Sequence, residues 1–163
     1  PPGADTCGPG FSDVGGTRAF EGPIKTPKIV GDYALGRAPL EWQGEGRGLV
    51  VDGWGSRRCA LVGGNLGVLA VKNGWVGLIV NGCARDSAEL GGQDVGIKAL
   101  GLHPRKSEKG LHSGHADKVV SFAGVTFKPG AWLYADAAGI VVSDSKINKY
   151  PQARPSFVAL QPN

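Results

Sequence analysis

Residues 48–86 read GLVVDGWGSRRCALVGGNLGVLAVKNGWVGLIVNGCARD, and their hydrophobic pattern decides the fold class. Gly48-Leu49-Val50-Val51-Asp52 is an apolar run ending at an acid and a glycine turn, as strands buried on both faces do. Cys59-Ala60-Leu61-Val62 predicts a second such strand. Gly63-Gly64 breaks the chain, and residues 65–73 then carry Leu66, Leu69 and Ala70 at i, i+3, i+4 spacing, which predicts a helix. Gly74 suits its left-handed end. Residues 75–80 predict the most apolar strand, closed by Asn81-Gly82; residues 86–90 predict one or two helical turns and residues 95–100 another strand. Strand, helix, strand, short helix, strand implies an α/β layer with partly parallel pairing.

Outward from this centre the signals weaken. Residues 1–16 are rich in Pro and Gly and read as irregular. Phe20, Ile24, Ile29 and Val30 predict strands broken at Gly22-Pro23 and Pro27. Leu35, Leu40 and Trp42 give a weak helical pattern over residues 32–43, interrupted by Gly36 and Pro39. On the other side, residues 103–117 are polar and predict a long loop. Short antiparallel strands are expected at residues 119–122, 125–127, 132–134 and 140–142, with turns at Gly124, Pro129-Gly130 and Gly139. After Asp144 the pattern dissolves into a tail, residues 145–163, in which Pro151 and Pro155 oppose a regular helix. Phe157, Val158 and Leu160 in that tail fit either a solvated end or an extended docking segment. The expectation is one domain over residues 1–144, with 1–14 irregular, followed by the tail.

A chain of 163 residues buries a core without disulfide staples. The 28 glycines follow no fixed period, which excludes collagen-like repetition and implies many tight turns. A formal charge of +4 is compatible with a solvated basic surface, an acidic protein partner or a small anion. A nucleic-acid role is not expected, because the densest basic stretch, Arg105-Lys106-Ser107-Glu108-Lys109, is short and contains an acid. Three cysteines without a C-x-x-C pair point to a reducing compartment and away from zinc ribbons. No apolar run approaches the ~20 residues that span a bilayer, and no signal peptide is visible. The chain starts at Pro1 and contains no Met, as a processed or trimmed product would. The expected location is soluble: the cytoplasm, or an organellar matrix after removal of a transit peptide.

Asn81-Gly82-Cys83-Ala84-Arg85-Asp86 carries the strongest chemical signal. Ligands of open α/β sheets gather at the carboxyl ends of strands. Adjacent residues cannot both face inward on a strand, but a tight turn presents both. Arg85 can grip a carboxylate bidentately, and Asp86 can hold a hard cation such as Mg²⁺ or Mn²⁺ through one oxygen. A surface ion pair or a helix N-terminal acid is the plainer alternative. Gly63-Gly64-Asn65-Leu66 offers free N–H groups at a helix start, which bind anions or simply begin a helix. His103, His112, His115 and Asp117 match no zinc spacing. Cys83 stands near Arg85 but has no evident base in sequence, and Cys59 reads as core.

In order, Gly15-Gly16, Phe20-Glu21-Gly22-Pro23-Ile24, Leu49-Val50-Val51-Asp52-Gly53, Ala60-Leu61-Val62-Gly63 and Asn73-Gly74-Trp75 precede the Asn81–Asp86 run. Gly96-Ile97-Lys98-Ala99-Leu100, His103-Pro104-Arg105-Lys106-Ser107, Phe122-Ala123-Gly124-Val125-Thr126 and Leu133-Tyr134-Ala135-Asp136 follow it. Across residues 11–144 this series resembles the family of the regulator of ribonuclease activity A and the 4-hydroxy-4-methyl-2-oxoglutarate aldolases. The resemblance implies a swivelling β/β/α domain with mixed sheets and short helices, assembled as a homotrimer or hexamer with sites between subunits. It implies a divalent metal on Asp86, substrate and enolate charge on Arg85, and a pyruvoyl carboxylate on the backbone amides of residues 64–66. Glu89 completes the Arg-Asp-x-x-Glu signature as a supporting residue. Where aldolase members carry an Asp that acts through a water at the metal, this chain has Gly64, so the resemblance implies binding with lowered turnover. The expected activity is metal-dependent aldol cleavage or decarboxylation of a small 2-oxo acid. The alternative is a non-catalytic trimer that binds a protein partner, as a ribonuclease inhibitor or as a subunit of a larger assembly.

Overall fold

The computed structural model describes residues 3–27, 38–107 and 117–147. Its centre is the predicted α/β unit. Strand β4 (Gly48–Val51) leads through β5 (Ala60–Val62) into helix α2 (Gly64–Lys72), then β6 (Gly77–Ala84), the short helix α3 (Ser87–Gly91) and β7 (Gly96–Leu102). β4, β6 and β7 lie side by side in parallel, and β5 pairs in parallel with the far end of β6 through Ala60↔Cys83. The apolar runs are strands because both faces are covered: Leu49 and Val51 enter one core cluster with Leu69, Ala70, Leu78 and Val80, while Val50 and Ile79 enter another with Phe127 and Leu133.

That alternation defines the layers. Helices α2 and α3 cover one face of the parallel strands. The other face meets the antiparallel part of the chain, built from β8 (Val120–Phe122), β9 (Val125–Phe127), β10 (Trp132–Asp136) and β11 (Gly139–Ser143). β10 and β11 continue the main sheet through β3 (Phe20–Lys25), whereas β8 and β9 form a separate hairpin. The result is a single α/β domain with a mixed sheet and short helices, as expected; among the described residues that sheet has nine strands.

Helix α2 ends as Gly74 requires. Gly74, at φ 79°, donates its N–H to Val71 O and Trp75 donates to Ala70 O, the paired bonds of a Schellman motif. Trp75 is therefore a helix-end residue, and β6 begins two residues later than the apolar run suggests.

Four local expectations are corrected. The irregular start contains β1 (Ala4–Thr6), paired with β11, and β2 (Ser12–Asp13), paired with β7. β3 runs unbroken through Gly22-Pro23. Ile24 donates to Ala131 O, so by alternation the nitrogen of Pro23 faces away from β10, and the pairing with β4 starts only at Ile24↔Gly48. Gly22 is needed because a Cβ there would lie 2.2 Å from Gly46 O. Pro39 does not interrupt a helix but sits in the first turn of α1 (Ala38–Glu41), where no intrahelical donor is required. Nor does the strand expected over residues 75–80 end at Asn81-Gly82. β6 continues to Ala84 with a register shift against β7 between Val80 and Cys83, a bulge at glycine. Ile29, Val30, Leu35 and the tail beyond residue 147 lie outside the described residues.

Candidate active site

The site forms where β5, β6 and β7 end together. Arg85 follows β6 directly, and its N–H donates to Val62 O at the end of β5, while His103 N–H donates to Ala84 O. Asp86 then takes φ 59° and ψ 45°, the left-handed region that Asp tolerates better than most residues. This one residue turns the chain from strand into α3, and it lets neighbouring Arg and Asp side chains face the same side. The expected tight turn is therefore a single left-handed aspartate.

The two side chains meet. Arg85 Nη1 lies 2.8 Å from Asp86 Oδ2, with the side chains 25% and 34% exposed. The same oxygen accepts the Gly64 N–H at 2.9 Å, so Asp86 caps the start of α2 from a distant part of the chain. Asp86 Oδ1 accepts no hydrogen bond from the described residues. Gly63 permits the arrangement: a Cβ there would lie 2.6 Å from Arg85 Cζ and 2.8 Å from Asp86 Oδ2.

The three amides at the start of α2 are not equivalent. The Gly64 N–H is taken by Asp86, and the Leu66 N–H donates to Gly63 O at 3.1 Å. Asn65 N–H makes no hydrogen bond among the described residues. Gln93 Nε2 donates to Gly64 O at 3.2 Å, which pins the peptide plane carrying that N–H. A trans peptide fixes the N–H opposite the carbonyl.

Glu89, on α3, lies over the same turn. A Cβ on Gly64 would stand 2.0 Å from Glu89 Oε2 and 2.2 Å from its Cδ. The space of a side chain at position 64 is thus filled by the carboxylate of Glu89.

An open cleft of about 350 Å³ is lined by Arg85, Asp86, Ser87, Leu102, His103 and Pro104. His103 is the member that sequence reasoning weighed only as a metal ligand. Its Nδ1 accepts the Arg105 N–H at 3.0 Å, so the neutral ring carries its proton on Nε2. The only sequence signal for this placement is its position one residue beyond the end of β7. His112 and His115 lie outside the described residues, and Asp117 is paired with Lys25 Nζ at 2.8 Å. Cys59 and Cys83 are buried, at 7% and 2% exposure, and do not line the cleft.

No group of three or more His, Cys, Asp or Glu among the described residues could enclose a metal ion. The donor set instead fits a hard, largely hydrated cation. One carboxylate oxygen is unengaged, a second carboxylate lies across the turn, and the remaining positions would fall to water and substrate oxygens, the manner in which Mg²⁺ binds. Among the described residues no helix is long and apolar enough to cross a membrane.

Known proteins resemble this chain along most of its length. A Cupriavidus necator protein with the provisional name 4-hydroxy-4-methyl-2-oxoglutarate aldolase is 53% identical over 139 residues, covering 85% of this chain and 84% of its own. The solved structure of the RNA-processing inhibitor RraA from Thermus thermophilis superposes with a TM-score of 0.84 at 36% identity, covering 92% of this chain and 91% of that one. A Geobacillus kaustophilus structure described as an S-adenosylmethionine:2-dimethylmenaquinone methyltransferase gives 0.83 at 43% identity, covering 89% of each chain. The profile of the RraA-like family, described as Aldolase/RraA, matches residues 4–142, and the chain belongs to that family.

Proposed function

We propose that this chain is a divalent-metal-dependent carbon–carbon lyase that acts on pyruvoyl-containing acids, with 4-hydroxy-4-methyl-2-oxoglutarate and oxaloacetate as the substrates to test. The carrying observation is the left-handed Asp86, which presents one free carboxylate oxygen beside the Arg85 guanidinium in a single cleft. The names of the three relatives describe three different activities, so the site has to decide.

Asp86, with Glu89 behind it, would hold Mg²⁺ or Mn²⁺, which supplies Lewis-acid polarisation of the 2-oxo group when bound. Arg85 grips the adjacent carboxylate and meets the negative charge that develops as the bond between C3 and C4 breaks. The Asn65 N–H, fixed through Gln93, offers a further donor to that carboxylate. For the hydroxy acid, the electrons of the broken bond pass to the pyruvoyl half while the C4 hydroxyl loses its proton and becomes a carbonyl. The hydroxyl proton passes to water in the open cleft, and a proton returned from water to C3 gives pyruvate; the His103 Nε2–H, fixed in direction by the Nδ1 contact with Arg105, can hold that water by a hydrogen bond.

The cleft is open, and a homotrimer or hexamer that walls it with a second copy fits this reading. A protein-binding regulator is the second reading. It is favoured by the likeness to the RNA-processing inhibitor and by Trp54, which is 71% exposed at φ 60°, an uncommon backbone state for a bulky residue. The deciding experiment measures pyruvate release from both substrates with Mg²⁺ and with EDTA. Release that EDTA abolishes is expected. Absence of metal-dependent release from either acid would overturn the lyase reading.

A further inference from the structure

We propose that Arg18 is a specificity-determining residue of this site, receiving the distal carboxylate of a dicarboxylic 2-oxo acid whose pyruvoyl end lies at Arg85 and Asp86. The inference rests on the lyase reading above and extends it to a part of the molecule that reading does not use.

A second cleft, of about 560 Å³, is lined among others by Ser12, Asp13, Arg18, Ser87, Gly101 and Leu102. It meets the Arg85–Asp86 cleft at Ser87 and Leu102, which line both. A ligand anchored at Arg85 can therefore extend past Ser87 and Leu102 into this second cleft. The charge in that space is unbalanced. Asp13 is already engaged, its Oδ1 3.0 Å from Lys98 Nζ, and is only 14% exposed. Arg18 is exposed and makes no hydrogen bond or ion pair with the described residues. A guanidinium without a partner, in a cleft otherwise offering the Ser12 and Ser87 hydroxyls, suits a carboxylate held bidentately.

The backbone beside Arg18 is held in place. Val14 N–H donates to Ile97 O at 2.9 Å, Gly16 N–H to Gln93 O at 3.0 Å and Thr17 N–H to Val95 O at 3.3 Å, while Thr17 Oγ1 bonds Asp94 at 2.7 Å. The approach is so close that a Cβ on Gly15 would stand 2.1 Å from Val95 O, and one on Gly16 2.3 Å from Gln93 O. Two glycines thus bring the segment against the loop after α3, and Arg18 projects from a fixed point next to the anchored Thr17.

The test is calorimetric binding to the full chain saturated with Mg²⁺. 2-Oxoglutarate and 2-oxobutyrate share the pyruvoyl end and differ in the distal carboxylate. The wild-type chain is expected to prefer 2-oxoglutarate. Arg18→Ala is expected to weaken 2-oxoglutarate roughly tenfold, the effect of losing one charge-assisted contact, and to leave 2-oxobutyrate unchanged. Arg18→Lys is expected to recover part of the loss. If the wild type binds both acids equally, or if Arg18→Ala weakens both alike or neither, the Arg18 assignment is wrong while the lyase reading stands. If the wild type binds neither acid, the pyruvoyl reading fails and the subsite with it. A changed particle mass of Arg18→Ala in light scattering would place Arg18 in a subunit interface and overturn the proposal.

Discussion

Asp86 holds three roles that substitution can separate: a left-handed backbone, a cap on a distant helix and the charge proposed to bind metal. Asp86→Asn keeps the first two. Asn tolerates positive φ as Asp does, and its amide oxygen still accepts the Gly64 N–H. What it loses in the fold is the 2.8 Å pair with Arg85, whose side chains are 25% and 34% exposed. Solvent screening holds such a pair to about 0.2–1 kcal/mol. For a domain of this size the melting temperature should fall by at most about 4 °C. Asp86→Ala also loses the cap, about 1 kcal/mol, and meets the left-handed penalty of about 1–2 kcal/mol. Its total of about 2–4 kcal/mol corresponds to a fall of roughly 4–16 °C. Both variants stay folded at room temperature if the chain has ordinary stability, about 5–15 kcal/mol. The assay pairs thermal melts with Mg²⁺ and Mn²⁺ titration calorimetry. Asp86→Asn is expected to melt close to wild type yet bind no metal. Unchanged metal affinity in Asp86→Asn would refute the ligand assignment. A melt as low as that of Asp86→Ala would refute the partition of roles.

Two further outcomes test the surroundings. Gly64 opens a helix and lacks positive φ, so Gly64→Asp is allowed by the backbone, but its Cβ falls 2.0 Å from Glu89 Oε2 and must displace that carboxylate. The variant is expected to melt lower than wild type, and adding Glu89→Ala should restore the melt; a double variant no more stable than Gly64→Asp alone would show that the clash is not the cause. Lys98, 2% exposed and paired with Asp13, is expected to cost about 3–5 kcal/mol as Lys98→Ala, because a buried charge is left alone. Adding Asp13→Asn should recover much of this in urea denaturation, and equal losses for the single and double variants would count against the buried pair.

The central strands and α2 were legible because each burial pattern is local: continuous apolar runs where both strand faces are covered, and i, i+3, i+4 spacing where one helix face is. What misled were residues whose meaning depends on a distant partner. Gly22-Pro23 looks like a break until Gly46 O and the one-sided pairing of β3 explain it. Asn81-Gly82 looks like the end of a strand but lies within one, where a Cβ on Gly82 would stand 2.7 Å from Leu61 Cδ1. The Arg85-Asp86 pair was readable from its position after an apolar strand. Its contact with Gly64, the carboxylate of Glu89 over that glycine and the arrival of His103 were not, since each joins elements separated in sequence. The strands at residues 4–6 and 12–13 carry little hydrophobic signal of their own, because their ladders are supplied by β11 and β7.

The pairing of β1 with β11 ties the ends of the domain together, Ala4 opposite Ser143 and Thr6 opposite Val141. During synthesis residues 4–6 leave the ribosome long before β11, their partner among the described residues, exists; at about 5–20 residues per second the wait is roughly 7–30 s. They can therefore pair only after most of the domain has been made, and in the finished sheet they cover the outer edge of β11 against edge-to-edge association. The same adjacency makes the domain a candidate for circular permutation. A short linker from residue 143 to residue 4, with new termini opened in an exposed loop, would turn a pairing between opposite ends of the domain into a local hairpin.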